Sequence, residues 1–385
     1  MDPTEDCVEI EEVIYDEPQE IYPHSEIELC GSVKVKVFQG HKDTVKSCRF
    51  CADDQKALTS SFDKTVKLWH LDDGTLLKSY QGHDLNVSQA HPDPTGDRFV
   101  SCGWDKKVQV WNTETGSILW CHHHDGIVSC CNFSHDGQYV ISGSDVDHCL
   151  KVWDAHNGIL IHKVPDLHRS TITSCKFSPR DDRVVTCSMD KTTKFWDIKS
   201  MCNTISLGGH INIISDTAMS MDEHKLATVS WDKTIAFWDI ATGSYRLKGP
   251  EKLEKAHEGC ISSCDFTTDG LLLVTGGFDQ QVCVWDTENV CQRLRLQGHT
   301  DWVEDVCFSK DQKWILSSSK DKCLRLWNIE NTDDIPIVLQ RKRAIGLRVY
   351  NCTSCGKQFS VSQIDTAEDV KRCVFCRLQT PDRAI

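Results

Sequence analysis

The residues of this chain that could do chemistry are histidines and aspartates that recur as pairs. In each pair an Asp follows a His by 22 residues, or by 23 in the third copy, and the 385-residue chain holds seven copies. A His with an Asp to orient its ring is the arrangement of a general base. One such pair would suggest catalysis. Seven pairs at seven separate places indicate a repeated structural element, and we interpret these residues as structural.

A hydroxyl residue and a tryptophan complete each copy. The Trp follows the Asp by six residues in all seven copies, and a Ser or Thr precedes the Asp by four in six of them. A buried indole N–H and a buried carboxylate both need partners, which a hydroxyl and an imidazole can supply. The predicted tetrads are His41, Thr59, Asp63 and Trp69; His83, Ser101, Asp105 and Trp111; His124, Ser142, Asp147 and Trp153; His168, Thr186, Asp190 and Trp196; His210, Thr228, Asp232 and Trp238; His257, Thr275, Asp279 and Trp285; and His299, Ser317, Asp321 and Trp327.

A second chemical motif lies near the end of the chain, where two C-x-x-C pairs are separated by 17 residues. The four thiols belong to Cys352, Cys355, Cys373 and Cys376. Two C-x-x-C turns at this spacing can grip one ion tetrahedrally, and four thiolates leave no open position. The spacing therefore predicts a structural Zn²⁺ site. An ordinary pair of reduced C-x-x-C turns and a redox pair are the alternatives.

The charge balance limits the classes of partner. The formal net charge is −14 at pH 7, and residues 1–32 carry eleven Asp or Glu with no Lys or Arg. An acidic body repels phosphate backbones, so we expect no nucleic-acid partner. No apolar run approaches the length of a membrane span, and the first residues lack the pattern of a secretory signal. We expect no membrane contact, and a location in the cytoplasm or the nucleus, where thiols stay reduced.

Four short strands per repeat must position these residues. Runs of alternating apolar and polar residues are separated by turn signals such as DDGT and SHDG, which is typical of antiparallel strands. One such sheet cannot bury both of its faces alone, but seven sheets packed radially can. The pattern therefore predicts an all-β fold of seven sheets arranged in a ring.

The repeat of Gly-His, Ser or Thr, Asp and Trp resembles the WD40-repeat family, and the resemblance covers residues 33–340. It implies a seven-bladed WD40 β-propeller at 33–341 in which each tetrad is hydrogen-bonded inside its blade. We expect an acidic disordered tail at 1–32 and a small C-terminal zinc-ribbon-like segment at 342–385. Propellers of this family usually close with an N-terminal strand. Residues 33–38 (VKVKVF) and residues 335–340 (IPIVLQ) compete for that place, and we favour 33–38.

The resemblance also indicates an interaction surface. The residue before each repeated Asp lies in the turn between the second and third strands, which in the family belongs to the top face around the central channel. These residues are Phe62, Trp104, Val146, Met189, Trp231, Phe278 and Lys320, and Trp302 should point to the same rim. Exposed aromatic clusters mark protein-binding sites. We predict that Phe62, Trp104, Met189, Trp231, Phe278 and Trp302 bind proteins. The alternative is that these side chains pack on neighbouring blades and fill the mouth of the channel.

Three functions are compatible with such a fold. The favoured one is a non-enzymatic scaffold for protein–protein interaction. A substrate receptor of a cullin-type ubiquitin ligase is the alternative, although such receptors often carry W-D-x-R and none of the seven repeated Trp residues is followed by Arg at that position. An enzyme would need carboxylates or histidines outside the tetrads that converge on the channel.

Overall fold

A computed structural model describes residues 8–14, 32–51, 54–243, 245–330, 348–351 and 358–361. These residues form seven antiparallel sheets, or blades, and a separate two-stranded hairpin. The first strand of each blade contacts the first strand of the next, and the seventh blade contacts the first. The seven sheets therefore close into a ring around a central channel, as the repeats predict.

The strands are numbered in chain order, and four of them make up a typical blade. Blade 1 consists of β3 Val45–Phe50, β4 Lys56–Ser61, β5 Thr65–His70 and β6 Leu76–Gln81. Blades 2 and 3 consist of β7 Val87–Pro92, β8 Arg98–Gly103, β9 Lys107–Asn112, β10 Ile118–His123, β11 Val128–Phe133, β12 Tyr139–Ser144, β13 Leu150–Asp154 and β14 Leu160–Val164. Blades 4 and 5 consist of β15 Ile172–Phe177, β16 Arg183–Ser188, β17 Thr192–Asp197, β18 Cys202–Gly208, β19 Ile214–Met219, β20 Lys225–Ser230, β21 Ile235–Asp239 and β22 Glu251–Leu253.

Blade 6 consists of β23 Ile261–Phe266, β24 Leu272–Gly277, β25 Gln281–Asp286 and β26 Cys291–Gln297. Blade 7 consists of β27 Val303–Phe308, β28 Trp314–Ser319 and β29 Cys323–Asn328, completed by β2 Ser32–Gln39 and β1 Val8–Ile14. The hairpin consists of β30 Arg348–Asn351 and β31 Gln358–Val361, and the helix α1, Tyr245–Lys248, precedes the last strand of blade 5.

Burial explains the difference between inner and outer strands. The second strands are buried along nearly their whole length, because both faces of a blade pack against neighbouring blades. The fourth strands of blades 2 and 3 lie at the rim and are largely exposed. The apolar core is therefore divided into clusters between blades. In one of them Val100 and Val108 of blade 2 pack with Val128 and Val140 of blade 3.

The N-terminal strand closes the ring, which confirms the favoured prediction. β2 pairs antiparallel with β29, and Val35 lies opposite Trp327. Residues 335–340, the competing segment, lie outside the described residues. Because the strand before each repeated His completes the preceding blade, each sequence repeat contributes to two blades. Every blade is thereby joined to the next by the chain itself.

The acidic segment differs from the expected disordered tail in one place. Residues Val8–Ile14 form β1, which pairs antiparallel with β2 from Val8 opposite Phe38 to Ile14 opposite Ser32. Its sequence VEIEEVI supplies β-branched residues, which favour extended backbone in spite of the charge. Residues 1–7 and 15–31 of the tail lie outside the described residues.

Candidate functional site: the top face and the central channel

The structure brings the residues of the tetrads together. In blade 1, His41 Nδ1 lies 2.7 Å from Asp63 Oδ2, and His41 Nε2 lies 2.8 Å from Thr59 Oγ1. The indole N–H of Trp69 donates to the same hydroxyl at 2.9 Å. The chain of bonds is consistent when the indole donates to the hydroxyl, the hydroxyl to the imidazole and the imidazole to the carboxylate. All these groups are paired inside the blade, which leaves none to act on a substrate.

The other blades repeat this geometry. The His–Asp contact measures 2.7–3.0 Å in blades 1, 2, 4, 5, 6 and 7. The contact of the His with the hydroxyl measures 2.8–2.9 Å in all seven. The tryptophans that donate to the hydroxyl are Trp69, Trp111, Trp153, Trp238, Trp285 and Trp327. Trp196 of blade 4 is buried in the core between blades.

Blade 3 departs from the pattern. His124 contacts Ser142 through Nε2, but among the described residues its buried Nδ1 has no partner. Asp147 accepts a hydrogen bond from Ser144 through one oxygen, while its other oxygen is buried with no partner in the same part of the chain. The extra residue in this turn therefore carries the carboxylate away from the imidazole. Asp147 does not complete a tetrad as the spacing predicted.

The extra residue in blade 3 also changes which residue occupies one position on the top face. In six blades the residue before the repeated Asp donates its backbone N–H across the blade, as Trp104 does to Asn86 at 2.8 Å. In blade 3 the residue that makes this bond is Asp145, which donates to Ile127. Asp145, not Val146, is therefore the counterpart of Trp104. Val146 occupies the inserted position and is 64% exposed.

The predicted binding residues form two aromatic groups on the top face. Phe62 and Trp104 contact each other between blades 1 and 2, with ring centroids 5.6 Å apart. Trp231, Phe278 and Trp302 form a row across blades 5 to 7, in which Phe278 and Trp302 stack at 4.6 Å. Met189 of blade 4 is exposed between these groups along the rim.

These aromatic groups combine packing with exposure. Trp104 and Trp302 keep 44% and 42% of their surface exposed, although Trp104 contacts Phe62 at a tilt and Trp302 stacks on Phe278. Lys320 holds its ammonium 4.1 Å from the ring centre of Trp302, which fixes one face of that indole. These contacts hold the ring of Trp302 in a defined orientation.

Two exposed apolar residues on the top face were not predicted. Leu85 and Ile211 are 47% and 78% exposed in the loops that follow His83 and His210. Each loop is joined by a backbone hydrogen bond to the turn that carries Trp104 or Trp231. A signal was present in the sequence, because the other repeats place charged or small residues at these positions, and Leu and Ile stand out there.

Charged side chains outside the tetrads meet at the central channel. Arg49 donates to Asp305 at 2.6 Å, and Lys176 lies 3.0 Å from Asp216. The hydroxyl of Ser263 contacts both carboxylates, at 3.0 Å to Asp216 and 2.7 Å to Asp305. A continuous polar network therefore links blades 1, 7, 6, 5 and 4 across the inner strands.

The carboxylates of this network also fasten neighbouring blades together. Asp305 of blade 7 accepts the backbone N–H of Cys48 in blade 1, and Asp216 of blade 5 accepts that of Cys264 in blade 6. Burial raises the pKa of Asp216, but Lys176 and the hydrogen bonds outweigh it and hold the pKa below its usual value. These two carboxylates are consequently structural, and sequence reasoning missed them because it examined only the turn residues.

Cysteines inside the blades serve as packing groups. Cys48, Cys131, Cys175 and Cys264 occupy the same position of their first strands, and all are buried free thiols. Burial raises the pKa of each. A buried thiol with a raised pKa is a poor nucleophile and a poor metal ligand.

The predicted zinc ligands Cys352, Cys355, Cys373 and Cys376 lie outside the described residues. Within the described residues, no group of His, Cys, Asp and Glu is arranged to hold a metal ion. In the described part of the chain, no helix is both long and apolar enough to cross a membrane.

Comparison with known proteins agrees with this geometry. The model of the family described as WD domain, G-beta repeat matches residues 32–70, 74–112, 116–154, 161–197, 201–239, 250–286 and 290–328. The chain is 41% identical to human WD repeat-containing protein 88 over 363 residues, which cover 91% of this chain and 75% of that protein. It is 34% identical to the U5 small nuclear ribonucleoprotein 40 kDa protein of Pongo abelii, covering 78% and 86%. With mouse telomerase protein component 1 it shares 31% identity over 55% of this chain but only 8% of that protein. The chain belongs to the WD40 repeat family.

Proposed function

We propose that this protein is a non-enzymatic scaffold that binds other proteins through the top face of its propeller. The observation that carries the proposal is the pair of aromatic groups at the turns, where Trp104 and Trp302 stay more than two-fifths exposed. Tryptophan is the residue type most enriched among those that dominate binding energy at interfaces. A protein segment with apolar anchor side chains fits such a surface.

The alternatives have less support. The cullin-receptor function lacks the W-D-x-R signal in all seven repeats. An enzyme would need reactive groups at the channel, and carboxylates do converge there. Asp216 and Asp305, however, are engaged by Lys176 and Arg49 and by backbone N–H groups of neighbouring blades. Paired groups of this kind hold the ring together and are not free for general acid–base chemistry.

A double substitution on the top face tests the scaffold. We expect Trp104→Ala/Trp231→Ala to lower partner affinity at least about thirtyfold, which corresponds to about 2 kcal/mol, while the propeller stays folded. Proximity labelling in cells and quantitative pulldown would measure the loss. Leu119→Ala/Ile159→Ala is a matched control, because both residues are exposed apolar side chains of blades 2 and 3, away from the top-face turns. Equal partner recovery by parent and top-face variant would refute the proposal.

We also propose that the four C-terminal cysteines hold one structural zinc ion. In the sequence the first C-x-x-C pair falls between β30 and β31, the two strands of the hairpin, and each C-x-x-C pair can supply two thiolates to one ion. We expect the purified full chain to contain about one zinc per molecule, and Cys373→Ser to lower that content below one half. Cys202→Ser, at an exposed cysteine of blade 4, is the control. A parent protein free of zinc after purification without chelators would contradict the proposal.

The proposed location is the cytoplasm or the nucleus. The U5 small nuclear ribonucleoprotein 40 kDa protein, a relative that this chain covers over most of its length, carries a nuclear assembly in its name. Imaging of the tagged full chain would distinguish the two compartments.

A further inference from the structure

The bottom end of the central channel, opposite the top face, opens into a cavity of about 490 Å³. Its walls are the ends of the first strands, and its polar lining includes Arg49, His91, Asn132, Lys176 and Asp265. Its apolar lining includes Phe50, Phe133, Phe177, Phe266 and Phe308. The cavity thus combines opposite charges with aromatic side chains, which is the general composition of small-molecule sites.

Two opposite charges line this cavity without meeting. Arg49 uses one nitrogen, Nη1, for Asp305 and for the carbonyl of Cys48, which leaves Nε and Nη2 without partners among the described residues. Asp265 accepts the backbone N–H of Phe308 with one oxygen, and its other oxygen has no partner in the same part of the chain. None of the ion pairs between described residues joins Arg49 to Asp265.

A buried carboxylate without an ion-pair partner, such as Asp265, is costly inside a protein, since a buried charge is stable only when it is paired and hydrogen-bonded. Burial accordingly raises the pKa of Asp265, although Lys176 and Arg49 act in the opposite direction. Two further polar residues of the lining offer both kinds of contact. His91 contacts the carbonyl of Pro92 through Nδ1, which leaves Nε2 as an acceptor without a partner among the described residues, and Asn132 offers an amide.

We propose that this cavity binds a compact zwitterion, a small molecule with one carboxylate and one ammonium group, such as an amino acid. The carboxylate would bind the free edge of the Arg49 guanidinium, which is suited to a bidentate contact. The ammonium group would bind the free oxygen of Asp265. The phenylalanine side chains would contact the carbon skeleton between the two charged groups.

Ligands with a single charge fit less well. A simple anion would approach Arg49 but would also face the carboxylate of Asp265. A simple cation would satisfy Asp265 and leave the edge of Arg49 unpaired. Lys176 is less suited than Arg49 as the anion site, because its ammonium is a single donor atom already bonded to Asp216 and the carbonyl of Cys264 and offers no forked edge.

Isothermal titration calorimetry of the full chain tests the proposal with probes of increasing length. The probes are glycine, β-alanine, 4-aminobutyrate and 5-aminovalerate, and n-butylamine and butyrate carry the single charges. At least one amino acid of the series should bind, and at least about tenfold more tightly than either single-charge compound, as expected when two buried charge contacts act together. Binding of butylamine or butyrate with equal affinity would overturn the proposal, and so would the absence of binding by all four amino acids.

Substitutions of Asp265 and Arg49 test whether these two residues form the binding site. Asp265→Asn keeps the size and the acceptor for the Phe308 N–H but removes the charge, so we expect it to weaken binding of the best probe at least about tenfold. Arg49→Lys keeps a cation for Asp305 and removes the forked edge, so we again expect the best probe to bind at least about tenfold more weakly. Met221→Ala, at an exposed residue of the cavity mouth, is the control and should bind as the parent does. Circular dichroism confirms that each variant is folded. A folded Asp265→Asn that binds with parental affinity would overturn the assignment.

Discussion

Replacing Asp321 by Asn is expected to destabilise the propeller by about 2–3 kcal/mol, whereas replacing Asp147 by Asn should change its stability by less than about 0.5 kcal/mol. The two residues hold the same place in their sequence repeats. Asp321 accepts from the imidazole of His299 at 2.8 Å and from the backbone of Cys323 at 2.9 Å. Asp147 contacts Ser144 but no imidazole, and one of its oxygens is already unpaired.

The physical reason is the charge of the acceptor. Hydrogen bonds to His299 and to the backbone hold the pKa of Asp321 at about 2 in spite of burial, so the folded state prefers the ionised carboxylate. An Asn at this position offers only one acceptor and turns a donor toward the imidazole. At Asp147 the substitution removes a buried charge that lacks a full set of partners, so the loss and the gain nearly cancel.

Urea unfolding followed by tryptophan fluorescence would measure both effects as shifts in the midpoint. Asp84→Asn, at an exposed carboxylate of the top face, controls for the change in net charge. Equal destabilisation by Asp321→Asn and Asp147→Asn would show that blade 3 holds a complete tetrad in solution, against the geometry described above.

The contrast between these two residues shows how far the sequence predicts the structure. A fixed spacing of His, hydroxyl, Asp and Trp predicts the blades because each contact spans two strands of one sheet, and its geometry is set by strand length. The same spacing could not predict the path of the turn around Asp147, because one extra residue can be accommodated in several ways. Only the backbone bond from Asp145 to Ile127 decides the register.

The polar residues that line the channel were harder to predict, for a different reason. Arg49, His91, Lys176 and Asp265 lie at the same position of four different repeats, eight residues after the repeated His. Their chemical types differ, so no motif marks them. A usable signal was the recurrence of polar residues within strands that are otherwise buried. Which of them form ion pairs depends on neighbouring blades, and the sequence of a single repeat holds no information about that.

The protein is expected to lose stability steeply between pH 6.5 and pH 4, before most of its carboxylates titrate. Burial lowers the pKa of His91 to about 3, with a further contribution from Arg49, and burial together with Lys151 lowers that of His124 to about 3. In the unfolded chain both residues return to an ordinary pKa near 6.5. Below that pH, His91 and His124 each bind a proton in the unfolded state but not in the native state.

Stability falls as the pH falls, because the pKa of each histidine is lower in the folded state than in the unfolded state. The contribution of each histidine to the free energy of unfolding is fully present above pH 6.5 and is lost as pH falls toward 3. Each proton changes the free energy of unfolding by about 1.4 kcal/mol per pH unit, so the pair accounts for a slope of about 2–3 kcal/mol per unit. The tetrad carboxylates, with lowered pKa values such as that of Asp321, extend the loss below about pH 4.

Urea midpoints measured from pH 7.5 to pH 4.5 would give the slope. His91→Gln should flatten it by about one proton, or about 1.4 kcal/mol per pH unit, because Gln keeps a polar group at the channel wall but cannot titrate. His224→Gln, the same substitution at a histidine exposed on the surface, is the matched control. A parental slope in His91→Gln would mean that the imidazole reaches bulk water through the channel and accepts a proton in the native state. The cavity beside it would then be too wet for the charge contacts proposed for Arg49 and Asp265, so the pH series also tests the environment on which the zwitterion site depends.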